Sequence, residues 1–295
     1  MRANSFISRG QASLFDCLAC DEDAAPGLAY SGVPDLASYD WIVVATSGGK
    51  DSQTALRLVV EAAKAAGVIS RVVAVHADLG RVEWPGTKEL AATQAAVYGV
   101  PFHVLKATGG DLLDRVEARG MWPDAARRWC TSDLKRGPCR TLFTRLAAQW
   151  RDGGGEGRCR ILSCMGMRAE ESPARRKLPA YSYDASASNK TRRHVDVWLP
   201  IHTWTAEAVW RDIRASGVPH HRAYDLGMPR LSCSLCVLAS RSALVRAAQL
   251  RPELAAEYLR VEVRIGHRFR KDLSMGEIVA RSASGAVEVV DGWVA

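Results

Sequence analysis

The sequence predicts an α/β protein: a parallel twisted sheet with helices on both faces, followed by a C-terminal helical region. Three observations predict it. Short runs that are apolar throughout (WIVVAT, RVVAVHA, CRILSCMGM) alternate with stretches whose apolar residues recur at helical spacing. Strands apolar on every residue are those buried on both faces, as when crossover helices cover a parallel sheet. Each polar motif falls just after a strand, at the carboxyl edge where such sheets bind ligands.

Residues 1–38 read as an extension, rich in Ala, Ser, Gly and Asp and without periodicity. WIVVAT is the first strand. DSQTALRLVVEAAKAAG places Leu56, Val59, Val60 and Ala63 on one helical face and stops at Gly67. RVVAVHA is the second strand, TKELAATQAAVYG a helix closed by Gly99, PFHVLKA the third strand and DLLDRVEARG a short helix. GPCRTLFTRLAAQW is a helix with a proline near its start. DGGGEG is a loop and CRILSCMGM the fourth strand. Residues 166–194 read as one long polar loop, the kind that is functional or mobile. VDVWLPI and TAEAVWRDIRASG add a strand and a helix, and arginine-rich helices follow from residue 218. The expected organisation is therefore an extension over 1–38, an α/β domain over 39–217 and a basic helical region over 218–295.

The chain has 295 residues, 47% of them hydrophobic, which suffices for a large core. No apolar run reaches membrane-spanning length, and the first residues lack a signal-peptide layout. The expectation is a cytoplasmic protein with no membrane partner. A net charge of +8 favours polyanions as partners. The eight cysteines are Cys17, Cys20, Cys130, Cys139, Cys159, Cys164, Cys233 and Cys236. In that compartment disulfides are disfavoured. CLAC at 17–20 and CSLC at 233–236 have metal-ligand spacing. Cys159 and Cys164 flank an apolar run and are expected to be buried as small hydrophobes.

Between the first strand and its helix stands SGGKDS, residues 47–52. Ser47, Gly48 and Gly49 let backbone N–H groups face one point as an anion nest, at which the helix directs its N-terminal partial charge. Lys50 adds a full charge, and Asp51 and Ser52 are expected to cap the helix. The stretch is not a Walker A loop, because Val44 and Asp51 stand where that motif needs Gly and Ser or Thr. It resembles the loop of the PP-loop ATP pyrophosphatases, the adenine nucleotide α-hydrolases. That resemblance implies ATP and Mg²⁺, with cleavage between the α and β phosphates.

HADLGRVEWPGT (76–87), RRWCTSDLKRGP (127–138), GMRAEESPAR (166–175) and the segment from PIHTW to CSLC (200–236) occur in the order of the phosphoadenosine phosphosulfate (PAPS) reductase family, which this chain resembles over residues 41–236. The resemblance implies nucleotide contacts from Ser47, Gly48, Gly49, Lys50, Asp51, Ser52, Asp78, Gly166 and Arg168. It implies catalytic roles for Lys50, Asp51, Arg168 and Cys130. Asp78 and Glu83 are candidates for Mg²⁺ or a ribose, or are solvated loop carboxylates. Arg168 grips a phosphate, or pairs with Glu170 or Glu171. Trp204 and Trp210 read as core anchors. Cys130, Cys233 and Cys236 match positions that bind a [4Fe–4S] cluster in many members. Threonine stands at residue 131, where reductases often carry a second cysteine, so Cys139 is the candidate fourth ligand. Zinc at these thiols, zinc shared between the two CxxC pairs, or no metal are the alternatives.

The family's reductases also use a C-terminal cysteine, whereas this sequence has none after Cys236 and ends EVVDGWVA. That departure, with an unmodified SGGKDS, points toward the ATP pyrophosphatases of DNA phosphorothioation systems (the Dnd and Ssp types). It implies DNA, a cysteine desulfurase as sulfur donor and other modification-system subunits as partners. Sulfonucleotide reduction, tRNA thiolation and a non-catalytic nucleotide-binding subunit are the alternatives. Finally, PELAAEYLRVEVRIGHRFRK spaces Arg260, Arg264 and Arg268 as a stripe on one helical face, with Arg270 and Lys271 behind, a candidate nucleic-acid contact.

Overall fold

A computed structural model describes residues 32–284. The extension before residue 32, with the CLAC pair, and the tail beyond 284, with EVVDGWVA, lie outside the described residues. The strands are β1 (Trp41–Ala45), β2 (Val72–Asp78), β3 (Phe102–Lys106), β4 (Cys159–Met165), β5 (Tyr181–Tyr183) and β6 (Arg193–Trp198). They form one sheet in the order β3-β2-β1-β4-β6-β5. All neighbours are parallel except β5, which runs antiparallel to β6. The helices are α1 (Lys50–Ala65), α2 (Thr87–Val97), α3 (Leu112–Arg119), α4 (Gly137–Asp152), α5 (Ala206–Ser216), α6 (Arg241–Leu250), α7 (Pro252–Ile265) and α8 (Met275–Ala283).

Alternation along the strands builds two cores. Ile42 and Val44 face α1, where Leu56, Val59, Val60 and Ala63 are fully buried with Val72, Ala74, Leu162 and Cys164. Val43 faces the other way, with Val73, Val75, Ile161 and Val195, onto Leu142, Phe143 and Leu146 of α4. A third core lies under the C-terminal helices. Trp122 stacks on Tyr258 at 5.2 Å, and Leu79, Val82, Leu113, Val116, Leu235, Leu244 and Ile278 close around them. The C-terminal helices thus share a core with residues 79–134.

β1 lies between β2 and β4, so the chain leaves β1 at the point where strand order reverses. That switch point, at the carboxyl ends of the strands, is where such sheets bind ligands. SGGKDS occupies it.

Three sequence expectations are corrected. The 166–194 stretch is not one loop, because β5 forms within it. Tyr39 secures that edge, its hydroxyl 2.6 Å from Tyr181 Oη and donating to Asp196 Oδ2 at 2.8 Å. The helix expected from 137 begins earlier: a turn at Trp129–Thr131 and a π-helical stretch at Ser132–Arg136 run directly into α4. The arginine stripe is broken, since α7 ends at Ile265 with Gly266 in the left-handed region at φ 64°. Arg268, Arg270 and Lys271 lie beyond that helix.

Candidate functional site

The first turn of α1 is tied together by its own hydroxyls. Ser47 N–H donates to Ser52 Oγ at 3.0 Å, and Ser52 Oγ–H donates to the Gly49 carbonyl at 2.9 Å. Lys50 N–H donates to the Tyr224 hydroxyl at 3.0 Å. The N–H groups of Gly48 and Gly49 have no protein acceptor among the described residues, and both stand at the N-terminus of α1. That is the chemistry of an oxyanion site.

Two glycines are dictated by space. Gly48 has φ 67°, and a Cβ there would stand 2.9 Å from the Thr87 carbonyl oxygen. Gly166, just after β4, lies so close to α1 that a Cβ would fall 2.4 Å from the Asp51 carbonyl oxygen.

Asp51 and Ser52 do not cap α1. Gly49 is the N-cap and has no side chain to bond with, while Asp51 turns to two cations. Lys50 Nζ pairs with Asp51 Oδ2 at 2.8 Å, and Arg168 Nε with Asp51 Oδ1 at 2.6 Å. Lys50 and Arg168 are each only 4% exposed, so the ions stand out of bulk water. Burial opposes ionisation of Asp51, but Lys50 and Arg168 overcome it and hold its carboxyl below the usual range. Burial pushes the Lys50 amine down, Asp51 opposes this, and Arg168 and Arg230 add to the depression.

Arg168 also pairs with Glu170, and its backbone N–H donates to Glu171 Oε2 at 3.0 Å. Of the two sequence readings of this arginine, the ion pair with Glu170 is present, and its pair with Asp51 places it beside the loop. Asp78 accepts from Gly80 N–H at 2.8 Å and lies 3.8 Å from Lys88 Nζ. Glu83 is partly buried and ion-paired; its carboxylate is 3.2 Å from Nε2 of the buried His76, whose Nδ1 is 3.0 Å from the Thr46 carbonyl oxygen. Burial works against charge on His76, but Glu83 and the Thr46 carbonyl raise its pKa above the ordinary value. Trp204 and Trp210 pack against Ala55, Leu58, Ile201 and Val209.

The cysteines divide. Cys130 and Cys233 both pack against the third core, and Cys130, Cys233 and Cys236 feel one another's charge. Cys139 instead packs against the sheet core with Leu142 and Phe143. The π-helical stretch and the first turn of α4 separate it from Cys130. Among the described residues, no group of three or more His, Cys, Asp or Glu side chains stands close enough to hold a metal ion. The four-thiolate set Cys130, Cys139, Cys233 and Cys236 therefore does not fit a cluster or zinc in this geometry. Cys159 and Cys164 are fully buried in the sheet.

The proposed nucleic-acid stripe is also rearranged. Arg264 pairs with Glu117, and Arg268 with Glu277 at 2.7 Å. Arg260 borders a cleft shared with Glu253 and Glu257, and Lys271 is exposed beyond α7. No helix is long and apolar enough to cross a membrane among the described residues.

Sequence reasoning named Glu171 only as a partner for Arg168 and did not single out Tyr224, Arg175 or Arg230, although all three lie in stretches that carry the resemblance. Tyr224 accepts from Lys50 N–H, and Arg175 and Arg230 gather at Glu171.

An uncharacterized 37.8 kDa protein of Escherichia phage 186 is 30% identical over 190 residues, 63% of this chain and 54% of that protein. The chain thus spans about half the length of that relative. A phosphoadenylyl-sulfate (PAPS) reductase from Candida auris, in its phosphate complex, superposes with a TM-score of 0.44 at 18% identity, covering 67% of this chain and 83% of that one. The U34-tRNA thiolase of Methanococcus maripaludis, solved with its [4Fe-4S] cluster, gives 0.43 at 13% identity over 79% of this chain and 72% of its own. The model of the phosphoadenosine phosphosulfate reductase domain matches residues 41–239, from β1 to just past the CSLC pair, and the chain belongs to that family.

Proposed function

We propose that the chain is an ATP pyrophosphatase that activates a nucleic-acid phosphate oxygen for replacement by sulfur, as in DNA phosphorothioation. One observation carries the reading. The unpartnered N–H groups of Gly48 and Gly49 stand at the head of α1, beside Lys50 and Arg168, at the sheet's switch point. Donors and cations held in place before the substrate arrives stabilise charge that develops in the transition state, at little reorganisation cost.

ATP enters as its Mg²⁺ complex, and its phosphates meet the Gly48 and Gly49 N–H groups. Lys50 and Arg168, now shared between Asp51 and the nucleotide, offset charge as pyrophosphate departs. The acceptor oxygen attacks the α-phosphorus, forming one P–O bond as the α–β bridge breaks. The outer sulfur of a persulfide on a desulfurase partner then attacks the acceptor phosphorus and expels AMP, and a second thiol of that partner cleaves the remaining S–S bond, leaving the phosphorothioate and a disulfide on the partner. Asp51 holds both cations in register through the first step.

The test is product analysis with α-labelled ATP and Mg²⁺, with and without DNA, beside a Ser47→Ala/Asp51→Ala control. AMP and pyrophosphate, lost in the control and increased by DNA, are the expected outcome. ADP as the sole product, or no turnover under either condition, overturns the reading.

A further inference from the structure

Around the mouth of the loop, cations outnumber carboxylates. Glu171 joins three arginines: it accepts from Arg168 N–H at 3.0 Å, pairs with Arg175 and lies 3.3 Å from Arg230 Nη2. The Glu171 side chain is 8% exposed, whereas that of Arg230 is 56% exposed. Arg128 is exposed, and its side chain makes no ion pair or hydrogen bond among the described residues.

These positions are fixed by their surroundings. The Arg175 carbonyl accepts from Nε2 of the buried His202 at 3.0 Å. Leu231, next to Arg230, packs against the loop, where a Cβ on Gly49 would stand 3.4 Å from the Leu231 Cβ. Burial pushes Arg175 down to about 10, and Arg230 and then Arg128 deepen the shift, with Asp51 opposing and Arg168 adding to it. Like charges are thus crowded here in a way that a bound anion would relieve.

We infer that Arg128, Arg175 and Arg230 form the surface on which a nucleic-acid backbone lies, presenting one of its phosphates to the loop after β1. This rests on the proposed function and assigns the entry path of its acceptor. Three arginine forks on separate chain segments, grading from half-buried to exposed, offer more donors than one phosphate has oxygens. Successive phosphates of a backbone use them all, and Arg176 and Lys177, exposed beside Arg175, extend the track outward. On α7 and beyond it, Arg264 and Arg268 each face a carboxylate of their own, whereas Arg175 and Arg230 share one, Glu171, and Arg128 faces none.

Fluorescence anisotropy of a labelled single-stranded DNA oligonucleotide, measured across a salt series, tests the assignment. The Arg128→Ala/Arg230→Ala variant is compared with Arg260→Ala/Arg264→Ala. Loss of two phosphate contacts should weaken binding about tenfold or more and lower the salt slope by about 1.4. The α7 variant should remain within about twofold of the parent, following the small worth of exposed ion pairs. Arg128→Glu, at an exposed position, repeats the test with little risk to folding, and thermal unfolding checks both variants. An equal or larger loss in the α7 variant, an unchanged slope in the mouth variant, or equal competition by polyglutamate overturns the inference. Pyrophosphate release without DNA is measured on the same samples. If it is absent from the parent while DNA binding follows the expected pattern, the proposed function falls and the binding surface stands.

Discussion

The loop after β1 and the CSLC segment flank the same turn at Val82–Trp84, yet they are built in opposite ways. On one side, Glu83 receives His76, which holds the Thr46 carbonyl at the start of the loop. On the other, Ser234 N–H donates to the Val82 carbonyl at 2.8 Å and brings Cys233 alongside. The loop gathers paired ions and unpartnered donors. The thiols gather apolar neighbours, and burial pushes Cys233 up to about 12, Lys135 opposing, with Cys236 and Cys130 adding to the rise. The first region is charged at neutral pH and ready for an anion. The second holds Cys233 as a protonated thiol, which becomes a nucleophile only when something nearby lowers its pKa.

The largest effect that would sharpen this contrast is expected from Asp51→Ala. It strands the buried Lys50 and leaves the buried Arg168 only Glu170 as an ion-pair partner, so it should cost about 3–5 kcal/mol of stability as well as turnover. Urea unfolding measures the first and pyrophosphate release the second. A variant as stable as the parent would mean that water already solvates these ions, and the loop would lose its claim to preorganisation. Gly166→Ala comes next. Its Cβ meets the backbone of Asp51, which cannot swing aside as a side chain can, so about 1–3 kcal/mol and weaker nucleotide binding are expected.

Much of this geometry could be read in the sequence, for a physical reason. Continuous apolar strands can be buried only between two helical layers, so WIVVAT and CRILSCMGM predicted the parallel sheet. The position of SGGKDS after the first strand predicted its place at the carboxyl edge. The errors share a cause too. Capping was assigned to Asp51 on local chemistry, but Arg168, 117 residues away, competes for that carboxylate. Cys139 was grouped with Cys130 by proximity in sequence, and the π turn and helix between them send it to another core. Glycine at 266 was visible, yet the stripe was carried across it because arginine spacing alone does not show where a helix stops.

A smaller effect is expected at the thiols. Cys130 is raised by burial and by Cys236, and Cys139 is pushed up to about 11 by burial, with Lys135 lowering both. Alkylation of the native protein, followed by mass spectrometry, should be slow at neutral pH and should accelerate as pH rises. Lys135→Ala should slow alkylation at Cys130 and Cys233 further, because a thiolate-stabilising charge is gone. Rapid modification of Cys233 at neutral pH would place a thiolate there and erase the contrast with the loop.

The smallest effect concerns the link between the two regions. His76 has acceptors at both ring nitrogens, and its folded pKa is raised above its ordinary value of 6.5. The fold therefore favours the imidazolium over the neutral ring. Its stabilisation is fully present below the unfolded pKa and is lost as pH rises through the folded value. Stability measured by urea unfolding should fall over that window, and Glu83→Gln should flatten the fall by removing the charge that raises the pKa. A parent whose stability rises through the same window would show His76 buried as the neutral ring. The ring would then join the two regions only by packing, and the charge of the loop would end at Thr46 instead of reaching the turn that carries the thiols.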